Sequence, residues 1–109
     1  MPITKEELTL FSNSVGKLMT RGDLSFVECL TLATKQNKNK RFQRVMNEII
    51  ADVAKGYPLS MAMSLHPGYF SKEYVALIRH GERTVTLEKV LQQFSIGEEA
   101  DNAQIPVEN

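Results

Sequence analysis

The sequence predicts an all-α fold, an antiparallel helical bundle of about six helices. Apolar residues recur at steps of three and four over most of the chain, which is the spacing of amphipathic helices. Glycine and proline separate these segments at short intervals, and no stretch alternates apolar and polar residues for long enough to indicate a strand. We therefore expect tight turns that place successive helices side by side around one core.

The first two helices have clear starting signals. Thr4 with Glu7, and Ser25 with Glu28, form capping-box patterns, in which side chains bond the free backbone N–H groups at the start of a helix. The first helix is expected over about residues 4–20, where its apolar residues end before Gly22. A short second helix follows Ser25 and ends at the polar turn 36–40.

The third helix carries the most regular amphipathic stripe of the sequence. Its apolar residues are Phe42, Val45, Met46, Ile49, Ile50 and Val53. We expect Gly56 to end this helix in the left-handed conformation, and Pro58 to prevent its continuation.

Three shorter helices complete the predicted bundle. The first covers residues 59–65, and Ser71 caps a second helix that reaches His80 and is ended by Gly81. The last helix carries its apolar residues between 87 and 94. Residues 1–98 are therefore predicted to form one helical-bundle domain, and residues 99–109 an acidic tail, or a linker toward a membrane span that this sequence lacks.

Composition excludes several classes of function. Thirteen basic residues balance thirteen acidic ones, which argues against nucleic-acid binding, because that normally requires an excess of cations. Cys29 is the one cysteine, so no intramolecular disulfide can form and a reducing cytosol is the simpler setting. The sequence shows no apolar run of about 20 residues and no secretory signal. We expect a soluble, cytoplasmic chain.

No catalytic or metal-binding pattern is visible, and no cofactor is expected. His66 and His80 lie far apart without a partner motif, so we assign them structural or solvent-facing roles, with His80 at a helix end. Cys29 falls in a helical apolar pattern and is expected to be buried. Three methionines, Met46, Met61 and Met63, are assigned to the core, since gap-filling there is their more common use; the alternative is an adaptable binding surface.

One group of charges stands out, partly at the start of the third helix, where the helix dipole disfavours cations. It consists of Lys35, Lys38, Lys40, Arg41 and Arg44. One interpretation is a solvated turn in which Arg44 pairs with Glu48, one helical turn on. The other is a surface for acidic partners or anionic lipid headgroups.

The turns carry a recognisable motif. It consists of residues 56–63, then Pro67 and Phe70, then residues 77–82. The motif resembles, in the order and spacing of its residues, that of the type II secretion F-protein domain family. The resemblance extends over about residues 8–98, and Glu82 falls in the family's Gly-Glu pair. Where the family has a second glycine shortly after that pair, this chain has residues 83–86 without one. The early start of the domain is similar to the shorter platform proteins of type IVb pili, such as the toxin-coregulated pilus.

The resemblance implies a non-enzymatic module of an inner-membrane platform protein. Its relatives hold such cytoplasmic domains between membrane spans, contact the cytoplasmic assembly ATPase and other inner-membrane pilus or secretion proteins, and act on pilin indirectly. The candidate partner-binding residues are Glu82, from the motif, and Lys40, Arg41 and Arg44, from the charge pattern at the start of the third helix. Glu82 has a structural alternative, which is to accept hydrogen bonds at the start of the last helix.

Other classes of protein remain open at this stage. Short helices joined by glycine turns also occur in helix-turn-helix units, so a free-standing DNA-binding or regulatory domain is the main alternative, against which the balanced charge argues. A small enzyme would need a catalytic pair that the sequence does not offer. The isolated domain is also expected to be capable of forming a homodimer, because a small bundle can leave an apolar face uncovered.

Overall fold

The computed structural model describes residues 3–95, which fold into six α-helices without a strand. The helices are α1 Lys5–Met19, α2 Phe26–Gln36, α3 Lys40–Ala54, α4 Leu59–Ser64, α5 Lys72–Thr84 and α6 Leu87–Gln93. Each helix packs against the next in the chain, and α6 packs against α1, which closes the bundle. The all-α prediction is confirmed. The predicted acidic tail, 99–109, lies outside the described residues.

Local capping explains where several helices begin. At α1, the Thr4 hydroxyl accepts the Glu7 N–H at 3.0 Å and the Glu7 carboxylate accepts the Thr4 N–H at 2.9 Å. Ser25 and Glu28 form the same reciprocal pair at α2. These two capping boxes were predicted from sequence, and each satisfies N–H groups that the helix cannot pair internally.

The core is built from the apolar stripes of all six helices. Its largest fully buried side chains include Phe42, Phe70, Leu30, Met46, Ile49, Met63 and Ile78. Phe42 lies at the centre and meets the Phe11 ring edge-on, with 5.1 Å between the ring centroids. The core assignment is confirmed for Met46 and Met63 but was wrong for Met61, which is 49% exposed on the outer face of α4. Helical spacing alone did not distinguish the two faces of so short a helix.

Helices α1 and α6 are in unusually close contact. A Cβ atom on Gly16 would lie 2.7 Å from both the Cγ atom and the backbone nitrogen of Gln92, so only glycine fits here. Three residues earlier, the Asn13 side-chain amide donates to the carbonyl oxygens of Leu91, Gln92 and Phe94 at 2.8–3.0 Å. Asn13 thus satisfies carbonyl groups that the end of α6 leaves free, and it fixes that end to α1.

The predicted end of the fifth helix was wrong. Gly81 lies inside α5, which continues to Thr84, and His80 is therefore not at a helix end. A Cβ on Gly81 would lie 2.9 Å from the Cα atom of Leu87, so this glycine allows α6 to pack closely against α5. The helix ends at Thr84, and the left-handed backbone of the next residue, Val85 (φ 56°), turns the chain. Gly56 adopts positive φ after α3, as predicted.

A buried polar contact links the first and fifth helices. The hydroxyl groups of Ser12 and Tyr74 lie 2.8 Å apart, and Ser12 also donates to the Leu8 carbonyl at 2.8 Å. Since the Ser12 hydrogen is used in that second bond, Tyr74 donates to Ser12. Burial raises the pKa of Tyr74, so the phenol remains protonated and keeps its role as donor.

Candidate functional site

The turn between α2 and α3 is held by amide side chains. Asn37 accepts the Asn39 N–H through its side chain at 2.8 Å, and Asn39 caps α3 by accepting the Phe42 N–H at 3.1 Å. The Gln43 side chain also donates to the Asn37 carbonyl. Because these amides fix the turn, its basic side chains are not required to stabilise it.

All members of the basic group are exposed around this turn, and we call them the basic face: Lys35, Lys38, Lys40, Arg41 and Arg44. Between Cys29 and Asn47 the chain contains these five cations and no acidic residue. Within residues 3–95, none of the five forms an ion pair. The predicted pairing of Arg44 with Glu48 is wrong, since Glu48 instead lies 3.8 Å from the His66 imidazole. The basic face is therefore available to an external anion.

The start of α3 places cations where they reduce helix stability. Its first turn contains Lys40 and Arg41 but no acidic residue, whereas α1, α2 and α5 each carry glutamate there. A charge of the wrong sign at a helix N-terminus costs roughly 0.3–1 kcal/mol when exposed. Stability of the helix therefore does not explain these two residues, and their partner-binding role stays a prediction.

Glu82 occupies a different setting, in the last turn of α5. Its two carboxylate oxygens accept the backbone N–H of Ser60 at 2.9 Å and the Ser60 hydroxyl at 2.6 Å. The N-cap of α4 is Pro58, which has no side-chain acceptor, so Glu82 caps this helix from a neighbouring one. The structural alternative predicted from sequence for Glu82 was to accept hydrogen bonds at the start of the last helix. That was wrong, because the carboxylate bonds the start of α4 and not that of α6. The partner-binding role of Glu82 stays a prediction.

The residues considered for catalysis remain apart. Cys29 is buried, as predicted, and burial raises the pKa of its thiol, which disfavours the reactive thiolate. His80 is exposed on α5, and His66 lies in the turn after α4 beside Glu48. Within the described part of the chain, no three His, Cys, Asp or Glu side chains are grouped to hold a metal ion. None of the helices over residues 3–95 has both the length and the apolarity needed to span a bilayer.

Sequence reasoning missed two residues near these sites. Ser60 binds Glu82 from 22 positions away, and nothing in the local pattern of either residue indicates that pairing. Leu10 is 70% exposed on α1, within reach of the α2–α3 turn. Its position was detectable, since Leu10 falls outside the stripe formed by Leu8, Phe11 and Val15.

Comparisons of the chain with family models and with curated proteins agree on one family. A family model described as type II secretion system (T2SS), protein F, matches residues 17–96. The chain is 29% identical over 90 residues to the type IV pilus assembly protein PilC of Thermus thermophilus, covering 83% of this chain and 22% of that protein. It is 25% identical over 97 residues to the type IV pilus assembly protein TapC of Aeromonas hydrophila, covering 89% and 23%.

A third relative has higher identity. The type 4 fimbrial assembly protein PilC of Pseudomonas putida is 43% identical over 85 residues, which are 78% of this chain and 21% of that protein. The chain thus spans about a fifth of the length of these curated relatives. The narrower resemblance to the toxin-coregulated pilus stays a prediction. The family model covers most of the chain, and this protein therefore belongs to the type II secretion system protein F family of inner-membrane pilus and secretion components.

Proposed function

We propose that the chain is a non-enzymatic cytoplasmic domain of an inner-membrane platform protein, which binds the assembly ATPase and neighbouring membrane components of a type IV pilus or type II secretion machine. Its role is to transmit movement of the ATPase to the membrane-embedded part of the platform, and through it to pilin. The observation that carries the proposal is the family match over residues 17–96, since the family is one of pilus and secretion components and is not known as an enzyme family.

Transmission of force requires a domain that moves as one body, and the contacts between helices support this requirement. Asn13 fixes the end of α6 to α1, and Glu82 fixes the start of α4 to α5. The helices form a closed series in which the last packs on the first. Such bonds between helices resist sliding of one element past another, because several must break together.

The candidate contact for the ATPase is the basic face, through Lys40, Arg41 and Arg44. Exposed cations that form no ion pair with any residue of 3–95 favour an acidic partner surface, which they attract at long range and orient on contact. Glu82 is the second candidate. Its carboxylate already serves Ser60, so a partner would have to share or displace that contact.

The experiment is a pull-down of the tagged chain against cytosol and detergent-solubilised inner membranes of the source cell. Capture of the assembly ATPase or of pilus membrane proteins, identified by mass spectrometry, is the expected result. The variant Arg41→Glu/Arg44→Glu tests the basic face, and Glu82→Gln, which keeps hydrogen bonds to Ser60 while removing the charge, tests Glu82. Capture of nucleic acid, or of no component of the machine, would contradict the proposal.

A further inference from the structure

A groove adjoins the basic face. It lies between α1 and the α2–α3 turn, and its apolar wall is formed by Leu10, Phe11 and Ala33. Gln36 and Lys38 also line the groove, and Lys38 belongs to the basic face, so the groove and the basic face adjoin. Leu10 is 70% exposed although it is a large apolar side chain, and covering it would remove apolar surface from water.

The acidic residue in this region is already engaged. Glu7 also lines the groove, but its Oε1 atom accepts the Thr4 N–H at 2.9 Å and lies 3.4 Å from the Asn39 side-chain nitrogen. Its carboxylate is therefore committed to the helix start, and no described contact joins it to a cation of the basic face. Lys38, which also lines the groove, has no ion-pair partner within residues 3–95 and can meet a carboxylate of a ligand.

We infer that the groove and the basic face form one docking surface for an acidic, amphipathic segment of the assembly ATPase. This inference rests on the proposed function and adds the chemistry of the partner. An apolar side chain of the segment lies against Leu10, and its carboxylates reach the cations on the rim. Together these contacts combine a desolvated apolar anchor with a charged border, the arrangement that gives protein interfaces their affinity.

A protein segment fits this surface better than a lipid bilayer does. Two residues of the apolar wall, Phe11 and Ala33, are almost completely buried, so a planar headgroup layer on the outer surface would meet Leu10 but not the rest of the wall. Glu6 is exposed on the first turn of α1, so an anionic bilayer lying across this end of the helix would meet a carboxylate that it cannot avoid. An acidic segment of a protein can instead place its charges selectively against the cations.

Replacement of Arg41 is expected to affect the stability of the fold and the binding of the partner differently. Because Arg41 opposes the dipole of α3, Arg41→Glu is expected to leave the fold as stable as wild type or more stable, while weakening binding. A residue with a purely structural role would behave in the opposite way, since its replacement would reduce stability. Urea unfolding of the single variant checks this separation, and a destabilised Arg41→Glu would overturn the assignment.

Binding is measured by fluorescence anisotropy with the labelled chain and the purified assembly ATPase of the source cell. Arg41→Glu/Arg44→Glu should weaken binding by at least about tenfold, and wild-type affinity should fall steeply with salt. The matched control is Lys72→Glu/Arg79→Glu on α5, which changes net charge equally at exposed positions and should alter affinity by less than about twofold.

The apolar contact has its own pair of variants. Leu10→Gln should weaken binding by about three- to tenfold. Leu65→Gln, which changes an apolar side chain of nearly equal exposure (66%) after α4, should leave affinity unchanged. Circular dichroism verifies that both variants fold.

The outcomes separate the two proposals. Equal ATPase binding by wild type and all variants would overturn the docking surface while supporting the proposed function. Failure of the folded wild-type chain to bind the ATPase would contradict the proposed function and this inference with it. Binding to phosphatidylglycerol vesicles, lost in Arg41→Glu/Arg44→Glu while ATPase binding persists, would reassign the surface to lipid.

Discussion

Replacement of Glu82 by alanine is expected to destabilise the bundle well beyond the loss of one surface charge. The substitution removes both acceptors of Ser60, whose side chain is almost completely buried. No water can easily replace them at the amide and hydroxyl of a residue that is 3% exposed. The start of α4 would then have neither a cap from Pro58 nor one from α5.

The magnitude follows from these two bonds. A hydrogen bond to a charged group contributes about 1.5–3 kcal/mol. Glu82 is only half-buried, so solvent screening reduces each bond toward the lower limit, and the sum is about 2–4 kcal/mol. Glu82→Gln can still accept the Ser60 N–H and donate to the Ser60 hydroxyl, and should cost only about 1 kcal/mol for the lost charge.

The assay is urea unfolding followed by circular dichroism, with Ser60→Ala and the double variant completing a mutant cycle. A coupling energy of at least about 1 kcal/mol between the two residues is expected. Glu82→Ala within about 0.5 kcal/mol of wild type would refute the reasoning. Glu82 would then be dispensable for the fold, and its position in the motif would point to a partner instead.

Val85→Gly should raise the free energy of unfolding by about 1 kcal/mol, because a β-branched residue is strained at φ 56°; unchanged urea midpoints would contradict this. Gly16→Ala should cost at least about 1–3 kcal/mol in the same assay by forcing α1 and α6 apart, whereas Gly68→Ala, with open space around its Cβ, should be nearly neutral. Ser12→Ala should destabilise more than Tyr74→Phe, since the first leaves a buried phenol without its acceptor; equal losses would contradict the donor assignment. Burial raises the pKa of Tyr74 in the folded chain, so above about pH 10 the unfolded chain loses this proton first. The contribution of Tyr74 to the free energy of unfolding should therefore be fully present below about pH 10 and fall above it. Tyr74→Phe should remove that part of the decline.

Much of the fold was predictable because its signals are local. The capping boxes at Thr4 and Ser25, and the left-handed Gly56, depend on residues a few positions apart, and the structure confirms them. Gly81 was misassigned because a glycine that ends a helix and one that admits a neighbouring helix look alike in a single sequence. The two cases differ in the three-dimensional position of Leu87, which the spacing of residues along the sequence does not specify.

The candidate site was predictable only in part. The excess of cations between α2 and α3 was visible, since charge is read directly from sequence. The sequence did not show that Arg44 forms no ion pair within residues 3–95. Glu48 lies one turn away on the same helix, but its carboxylate lies near His66. The hydrogen bonds between Glu82 and Ser60 depend on how α4 packs against α5, which the local sequence does not specify. The exposure of Leu10 is relevant to binding only in the folded structure, where Leu10 lines the groove.

Pilus assembly in living cells tests the central claim most directly. The source bacterium would carry its full-length protein with Arg41→Glu/Arg44→Glu, or with the control Lys72→Glu/Arg79→Glu, and surface pili or secreted protein would be counted. We expect both proteins to accumulate normally in the inner membrane, while assembly or secretion is lost in the first strain and retained in the control. Normal assembly in the first strain would contradict a role of this domain as the docking module through which the ATPase acts.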